Sequence, residues 1–306
     1  MDPLVFIVVL NYRNYEDTIE CVRSIGRIDY RNLRVVIVDN ASGNGSEERL
    51  RQAFPDHQVV QSGENRGFAS GNNVGIRIAM DQGADYVLVL NNDTILEPNC
   101  VSILVAYAEQ DALAGVMSPQ LVDSEGQHDP TCTRRRPTLR ELFWNDGIWT
   151  NRKLQGRVRY GAAYTLDGPS EVEVISGACM LFRRSLVEEI GLLDESTFLY
   201  WEEFILCEKL RATGFRTALV PAARVVHKGG RSVRYIGARS IGAYLQSLAH
   251  YLKRYRKVGV FRSSLILLST SCVQLPTLIK SAVGLRKLEH WFRSRRLREG
   301  PSPPAD

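Results

Sequence analysis

Tyr86-Val87-Leu88-Val89-Leu90-Asn91-Asn92-Asp93-Thr94 decides how the chain is read. The unbroken apolar run from Val87 to Leu90 predicts a buried parallel strand, because a strand with one wet face would alternate. The run ends at once in oxygen-bearing side chains, and open α/β sheets take their ligands at the carboxyl ends of strands. Asp93 can bind a divalent cation there, with Asn91 as a neutral neighbour two residues before it. The alternative at this point is an Asx-rich turn that caps the next helix.

Toward the N-terminus, Leu4 to Leu10 is a second apolar strand, ending in Asn11, Tyr12 and Arg13. With no basic region before it, this stretch reads as a strand and not as a signal peptide. Tyr15 to Ile25 follows as a helix, with Ile19, Val22 and Ile25 on its apolar side. Leu33 to Val38 is a strand running into Asp39, and a helix begins near Ser46 with Glu47 and Glu48 in its favourable first turn. This alternation predicts a doubly wound α/β layer. Asn11-Tyr12-Arg13-Asn14 stands where a dinucleotide site would carry a glycine-rich phosphate loop, so the NAD and FAD fingerprint is missing, as is the P-loop. Asp39 can accept a hydrogen bond from a ribose hydroxyl or a base N–H, or serve as a local cap. Between Glu64 and Gly75, three glycines and three asparagines predict tight turns before a helix over Ser70 to Met80. Arg66 within that stretch either faces phosphates or makes a surface salt bridge.

Beyond the opening strand, Pro98 to Ala108 is a helix and Ala114 to Ser118 a strand. Residues 128–170 break the rhythm and read as an insertion or lid over the sheet edge. Its basic run, Arg134 to Arg136, is alternatively a solvated face. Glu171 to Ile175 is a strand leading to Ser176-Gly177-Ala178-Cys179. Then Phe198-Leu199-Tyr200-Trp201-Glu202-Glu203 sets two adjacent carboxylates after an aromatic turn, at the head of a helix to about Ala212. Such carboxylates can simply stabilise the helix start. An apolar setting would also raise a carboxyl pKa and suit it to proton abstraction. Arg216 to Val220 and Arg224 to Val226 are two further strands, ending at His227-Lys228-Gly229-Gly230-Arg231. His227 can ligate a metal or stand as a lone surface histidine, and Lys228, Arg231 and the glycine amides can hold phosphates. No short-range Cys-x-x-Cys or His-x-x-His pattern supports structural zinc.

The chain of 306 residues is 44% hydrophobic, enough for one large domain with an appendage. Its six cysteines are scattered and read as reduced core residues of a cytosolic protein. The net charge of +5 is uneven: from Tyr251 onward there are twelve Lys/Arg and three acidic residues, leaving a body of 27 basic and 31 acidic. A mildly acidic body argues against a nucleic-acid-binding core, whereas the tail could attract nucleic acid or an anionic membrane surface. Ile241, Tyr244, Leu245, Leu248, Tyr251 and Leu252 form one helical apolar face. Leu265 to Leu268 is apolar but broken by Ser269 to Ser271 and by Pro276, and falls short of a membrane span. Residues 285–296 read as an interfacial helix, or as one packed on the core or on a second subunit of a homodimer. Residues 300–306 are predicted to be disordered.

In order, Val38-Asp39-Asn40-Ala41-Ser42, Asn65-Arg66-Gly67-Phe68-Ala69 with Gly71-Asn72-Asn73, Leu90-Asn91-Asn92-Asp93-Thr94, Ser176-Gly177-Ala178, Phe198 to Glu203, and His227-Lys228-Gly229-Gly230 resemble the inverting family 2 glycosyltransferases. The nearer likeness is to their bacterial rhamnosyltransferase-like branch, and it spans roughly residues 4 to 235. The resemblance implies an α/β GT-A fold: a single Rossmann-like mixed sheet flanked by helices, with a C-terminal helical extension. The catalytic domain would cover 1–238, the extension 239–299 and the tail 300–306.

By the same resemblance, Asn11, Tyr12, Arg13 and Asp39 would bind the nucleoside. Asn65, Arg66, Gly67, Asn72, Asn91, Asn92, Lys228 and Arg231 would complete the nucleotide-sugar site. Asp93, Asn91 and His227 would hold Mg2+ or Mn2+, with Asn91 replacing the first acid of the family's Asp-x-Asp motif. Trp201, Gly177 and Ala178 would face the acceptor. Glu202-Glu203 would match the family's Glu-Asp pair, with Glu203 as catalytic base where Asp is usual, and Ile205 standing where a further Asp is expected. The implied donor is dTDP-L-rhamnose, or alternatively a UDP-sugar. The implied acceptor is a glycan or lipid-linked glycan, met in the cytoplasm at the inner face of the membrane. A nucleotidyltransferase, and a catalytically degenerate glycan-binding protein, remain the other readings.

Overall fold

The two apolar runs marked as strands lie side by side at the centre of one sheet. β1 (Val5–Asn11) and β4 (Tyr86–Asn91) are parallel, with Leu10 opposite Asn91. Residues Val5 to Val9 and Tyr86 to Leu90 are at most 1% exposed, as strands covered on both faces require. The structure is a computed structural model and describes residues 2–145, 164–229 and 239–282. Arg231, the stretch 285–296, the tail 300–306 and the middle of the 128–170 insertion lie outside the described residues.

Around this pair the chain adds α1 (Tyr15–Ile25), β2 (Leu33–Asp39), α2 (Ser46–Ala53), β3 (Gln58–Gln61), α3 (Phe68–Asp81), β5 (Thr94–Leu96), α4 (Cys100–Gln110) and β6 (Ala114–Val122). Then follow β7 (Thr133–Arg134), α5 (Leu139–Asn145), β8 (Ser170–Val172), β9 (Val174–Ile175), β10 (Cys179–Arg183), α6 (Arg184–Ile190), α7 (Glu202–Leu210) and β11 (Arg216–His227). α8 (Arg239–His250), a π-helical turn (Tyr251–Tyr255) and α9 (Val260–Ala282) complete the described chain. The main sheet has the order β3-β2-β1-β4-β10-β6-β11-β5, with β8 also on β11. β3, β2, β1 and β4 are parallel, whereas β10 runs antiparallel to both of its neighbours. The sheet is therefore mixed, as the resemblance implies, and β7 with β9 forms a separate two-stranded ladder.

Local chemistry explains where elements depart from expectation. The chain from Glu171 to Ile175 is two strands, because Val172 pairs with β11 and Val174 pairs with β7. The two strands expected between Arg216 and Val226 are one, carried through a register shift between Val220 and Arg224. Pro221 sits at that shift, where a missing N–H breaks no ladder bond. β5 had no signal of its own; Thr94 to Leu96 becomes a strand only by pairing antiparallel with Val225 to His227. Gly71 and Gly75 lie inside α3, within the helix expected over Ser70 to Met80. A Cβ there would come within 2.6 Å of Leu10 Cδ1 and 2.3 Å of Val8 Cγ1, so glycine lets the helix sit directly on β1.

A second core lies apart from the one around the sheet. It joins Leu142 of α5, Val174 of β9, Trp201 and Phe204 of the α7 region, Leu248 of α8, Tyr251 and Leu252 of the π turn, and Ile266 of α9. The basic run, expected in a lid or on a solvated face, is half-buried and paired here. Arg135 pairs with Glu141, and Arg136 lies 2.6 Å from Glu208. Arg256 donates to the Pro137 carbonyl at 2.8 Å and to the Tyr251 hydroxyl at 3.0 Å, fixing the π turn against the same region. α9 continues past Ser269 to Ser271 and through Pro276. The Thr270 and Ser271 hydroxyls bond back to the Ile266 and Leu267 carbonyls, so both polar groups are satisfied within the helix. Among the described residues no helix is long and apolar enough to cross a membrane.

Candidate active site

The carboxyl ends of β1, β2 and β4 form one edge, and its polar groups are built around Asp39. Asp39 is 1% exposed and accepts four hydrogen bonds. Oδ1 takes Asn11 Nδ2 at 2.6 Å and Ser42 Oγ at 2.5 Å. Oδ2 takes Ser42 N at 3.2 Å and Gln61 Nε2 at 2.7 Å. Both oxygens are filled by the protein, so Asp39 here shapes the edge, and a nucleoside donor would have to take the place of one of these bonds. Asn11 also accepts from the Thr18 hydroxyl at 2.7 Å and is fully buried. Arg13 has a left-handed backbone at φ 59, held by its N–H on Ser42 Oγ at 2.8 Å, and its guanidinium lies 5.5 Å from the Tyr12 ring. Tyr12 is half-buried and Arg13 exposed beside this cluster. Ser42 and Gln61 are site residues beyond those expected: Ser42 closes the Val38-to-Ser42 stretch and so carries a local signal, whereas Gln61 carries none, because its contact spans 22 residues.

The next loop closes on the same edge. Asn65 Oδ1 accepts from the Asn40 amide at 3.1 Å and from the Gly67 N–H at 3.0 Å. Gly67 has φ +106, and a Cβ there would fall 2.1 Å from the Phe198 carbonyl oxygen, so only glycine lets this loop touch the 198–201 turn. Phe68 N–H then donates to the Phe198 carbonyl at 2.9 Å. Arg66 is exposed and 3.8 Å from Glu195, in keeping with the salt-bridge reading. Asn72 donates to the Phe68 carbonyl at 3.0 Å within its own helix.

At the end of β4, Asp93 and His227 are brought together by the β5–β11 pairing that the sequence did not show. Thr94 stands opposite His227, and Lys228 N–H donates to the Asp93 carbonyl at 2.9 Å. Asp93 is 3% exposed, and its Oδ1 lies 3.4 Å from His227 Nε2, a buried nitrogen with no hydrogen-bond partner. A carboxylate oxygen beside an unspent imidazole nitrogen is a donor set suited to a divalent cation. Among the described residues no group of three or more His, Cys, Asp or Glu converges for a metal. Asn91 N–H donates to the Ala178 carbonyl at 2.9 Å and its carbonyl accepts from Thr94 at 2.7 Å, leaving a partly exposed side chain at the edge. Asn92 turns inward and donates to the Asn14 carbonyl at 3.1 Å and to Thr18 at 3.0 Å. Lys228 lies 2.5 Å from Glu20 and 3.5 Å from Asp17, so its ammonium is held on α1.

Gly177 and Ala178 connect that strand end to the paired glutamates. Ala178 accepts from Asn91, as above, while Gly177 N–H donates to Glu203 Oε1 at 3.0 Å. A Cβ on Gly177 would meet the same Oε1 at 2.9 Å. Glu203 is half-buried, whereas Glu202 is 6% exposed with Oε1 lacking a partner. Burial pushes the Glu202 carboxyl up to about 8, with a smaller push from the Glu203 charge. Trp201, expected to face the acceptor, is instead 3% exposed and stacked on Tyr251 with ring centroids 5.0 Å apart. Its large apolar ring is covered by the C-terminal helices. Tyr200 and Trp201 are both left-handed, at φ 71 and 72, immediately before the glutamates.

The family profile described as Glycosyl transferase family 2 matches residues 5–191. The chain is 27% identical over 270 residues to an N-acetylglucosaminyl-diphospho-decaprenol L-rhamnosyltransferase of Mycobacterium tuberculosis, covering 82% of this chain and 85% of that protein. It is 23% identical over 261 residues to the rhamnosyltransferase WbbL of Escherichia coli, covering 83% of this chain and 94% of the other. Among solved structures, the mannosyltransferase PcManGT from Pyrobaculum calidifontis, in complex with GDP-Man and Mn2+, superposes with a TM-score of 0.56 at 19% identity. That superposition covers 99% of this chain and 77% of the mannosyltransferase. At that identity the likeness speaks for the fold.

Proposed function

The chain belongs to glycosyl transferase family 2, and from that membership we propose that it moves L-rhamnose from dTDP-L-rhamnose to a hydroxyl of a glycan or lipid-linked glycan. The rhamnosyltransferase relatives support the sugar, and the diphospho-decaprenol in one relative's name supports a lipid-linked acceptor. The reading rests on one observation: the Gly177–Ala178 dipeptide ties Glu203 to the strand end that carries Asn91 and Asp93. A proton acceptor and a diphosphate station on one edge are what a single displacement at an anomeric carbon needs.

Glu203 takes the proton of the acceptor hydroxyl as its oxygen attacks the anomeric carbon. The bond from that carbon to the diphosphate oxygen breaks, its electron pair leaves with the diphosphate, and the configuration inverts. Gly177 N–H fixes which carboxylate oxygen of Glu203 is turned away from the acceptor. Asp93 and His227 would hold Mg2+ or Mn2+, which when bound supplies positive charge for the departing diphosphate. The Asp39 cluster and the 65–67 loop form the wall against which the nucleoside is bound. The reaction is placed in the cytoplasm, with peripheral contact to the inner face of the membrane.

The experiment is a turnover panel of dTDP-, UDP- and GDP-linked sugars with magnesium or manganese, read by product release. Release of dTDP from dTDP-L-rhamnose is expected. Pyrophosphate release from a nucleoside triphosphate would point to a nucleotidyltransferase, and tight nucleotide binding with no turnover of any donor would point to a degenerate binder.

A further inference from the structure

α9 is apolar on two opposite sides. Its inner side carries Ile266, 3% exposed, and partly buried Leu267 on the second core, with Ser269 Oγ bonded to the Phe143 carbonyl at 2.8 Å. Its outer side carries Val260, Phe261, Leu265 and Leu268, exposed by 84, 76, 40 and 63%. Phe261, Leu265 and Leu268 stand three and four residues apart, so they line one stripe. Trp144, 43% exposed, extends the patch on neighbouring α5. A helix packed on a core ordinarily turns polar residues outward, so a second apolar side calls for a partner.

The surroundings of the stripe select that partner by charge. Lys253, Arg254, Lys257 and Arg262 are exposed at its near end, and no Asp or Glu occurs between Tyr251 and Leu288. A second copy would bring the same basic rim against this one. The chain after α9, 283–306, has six basic and three acidic residues, and is also a poor complement to it. An anionic bilayer surface offers both an apolar layer for the stripe and negative headgroups for the rim.

We propose that the outer face of α9, from Val260 to Leu268, is a docking face for an anionic lipid surface. The proposal rests on the membrane contact in the preceding reading and uses none of the residues assigned to transfer. It sets the second core between the bilayer and α7, so the helix that carries Glu203 is held at the membrane side of the molecule.

The test is co-sedimentation of the full chain with sucrose-loaded vesicles of phosphatidylglycerol and phosphatidylcholine, against phosphatidylcholine alone, without donor. Binding is expected to the anionic vesicles and to weaken with salt. The pair F261S and L268S is expected to lower the bound fraction by about tenfold or more while leaving transfer to a water-soluble acceptor unchanged. The pair K253E and K257E is expected to remove the preference for anionic vesicles, and it serves as the test should the apolar pair fail to fold. Wild-type chain that ignores vesicles, or substituted chains that bind as wild type does, would overturn the proposal. So would a dimer in light scattering that F261S and L268S convert to monomer. Vesicle binding without rhamnosyl transfer would sink the proposed reaction and leave the docking face standing.

Discussion

At Glu202 the fold keeps a carboxyl where its charge is costly. Burial holds its pKa at about 8, well above the ordinary 4.5. Between those two values the folded chain keeps a proton that the unfolded chain has released, so this group's contribution to stability falls as pH rises through the window and levels off above it. Glu202→Gln removes the dependence. The melting temperature of the variant should gain on that of wild type steadily from about pH 5 to about pH 8; a constant difference across that range would contradict the burial argument. Glu203→Gln addresses the neighbour's separate task. It should cut kcat by roughly 10²–10⁴-fold, the usual worth of a general base, with donor affinity measured by calorimetry unchanged. At this scale the sequence showed which residues stand at strand ends, because strand periodicity and a break into Asn and Asp are local signals. It could not show that Asp39 is already satisfied by Ser42 and Gln61, or that Asn92 turns inward to Thr18, because those contacts depend on how separate elements pack.

Turns and short elements position what the single residues do. Gly177 is where the dipeptide, Glu203 and Phe68 come closest, with a Cβ at 2.9 Å from Glu203 Oε1 and 3.4 Å from Phe68 Cζ. Gly177→Ala should displace the carboxylate without touching the Asp39 cluster. The expected outcome is a kcat lowered about tenfold or more for a displacement of this size, with the donor KM near wild type; a raised KM at full kcat would refute it. The turn before Glu202 is held in a similar way. Two consecutive left-handed residues, Tyr200 and Trp201, each cost about 1 kcal/mol or more, and burial of the Trp201 ring against Phe204 and Tyr251 offsets this. Tyr251→Leu should therefore destabilise the chain by about 1–3 kcal/mol in urea unfolding and lower kcat, because the turn that aims α7 loses its cover. Tyr251→Phe should keep much of the stacking and lose only the hydroxyl's bonds, among them the one to Glu208 at 2.8 Å. The elements legible from sequence were the long periodic ones, such as α1, α3 and β4. β5 and the split between β8 and β9 were not, since each is defined by the strand it meets and not by its own pattern.

In the whole molecule, the donor edge and the paired glutamates are supported by different cores. The sheet core holds β1, β2 and β4 and so the Asp39 cluster, while the second core holds Trp201, Phe204 and the C-terminal helices. Composition marked the change after Arg239, and the amphipathic face of α8 was readable as one that needs a partner. Nothing local says that the partner is the turn before α7, because that depends on rings far apart in the chain: Tyr244 of α8 meets Tyr200 and Trp201 with centroids 5.7 and 5.6 Å away. The reversed direction of β10 between β4 and β6 was equally hidden, since pairing direction is set by crossovers and not by side chains. Ending the chain at His250 separates the two supports. The cut removes Tyr251, Leu252 and Ile266 from the second core, and Arg256 from beside Glu208, whose side chain is only 8% exposed. It leaves every strand of the sheet and the Asp39 cluster in place. The shortened chain should melt well below the full chain and lose rhamnosyl transfer, while dTDP still raises its melting temperature. Equal loss of dTDP binding and transfer would mean that the two cores fold as one unit; full transfer by the shortened chain would mean that α7 needs no cover to aim Glu203.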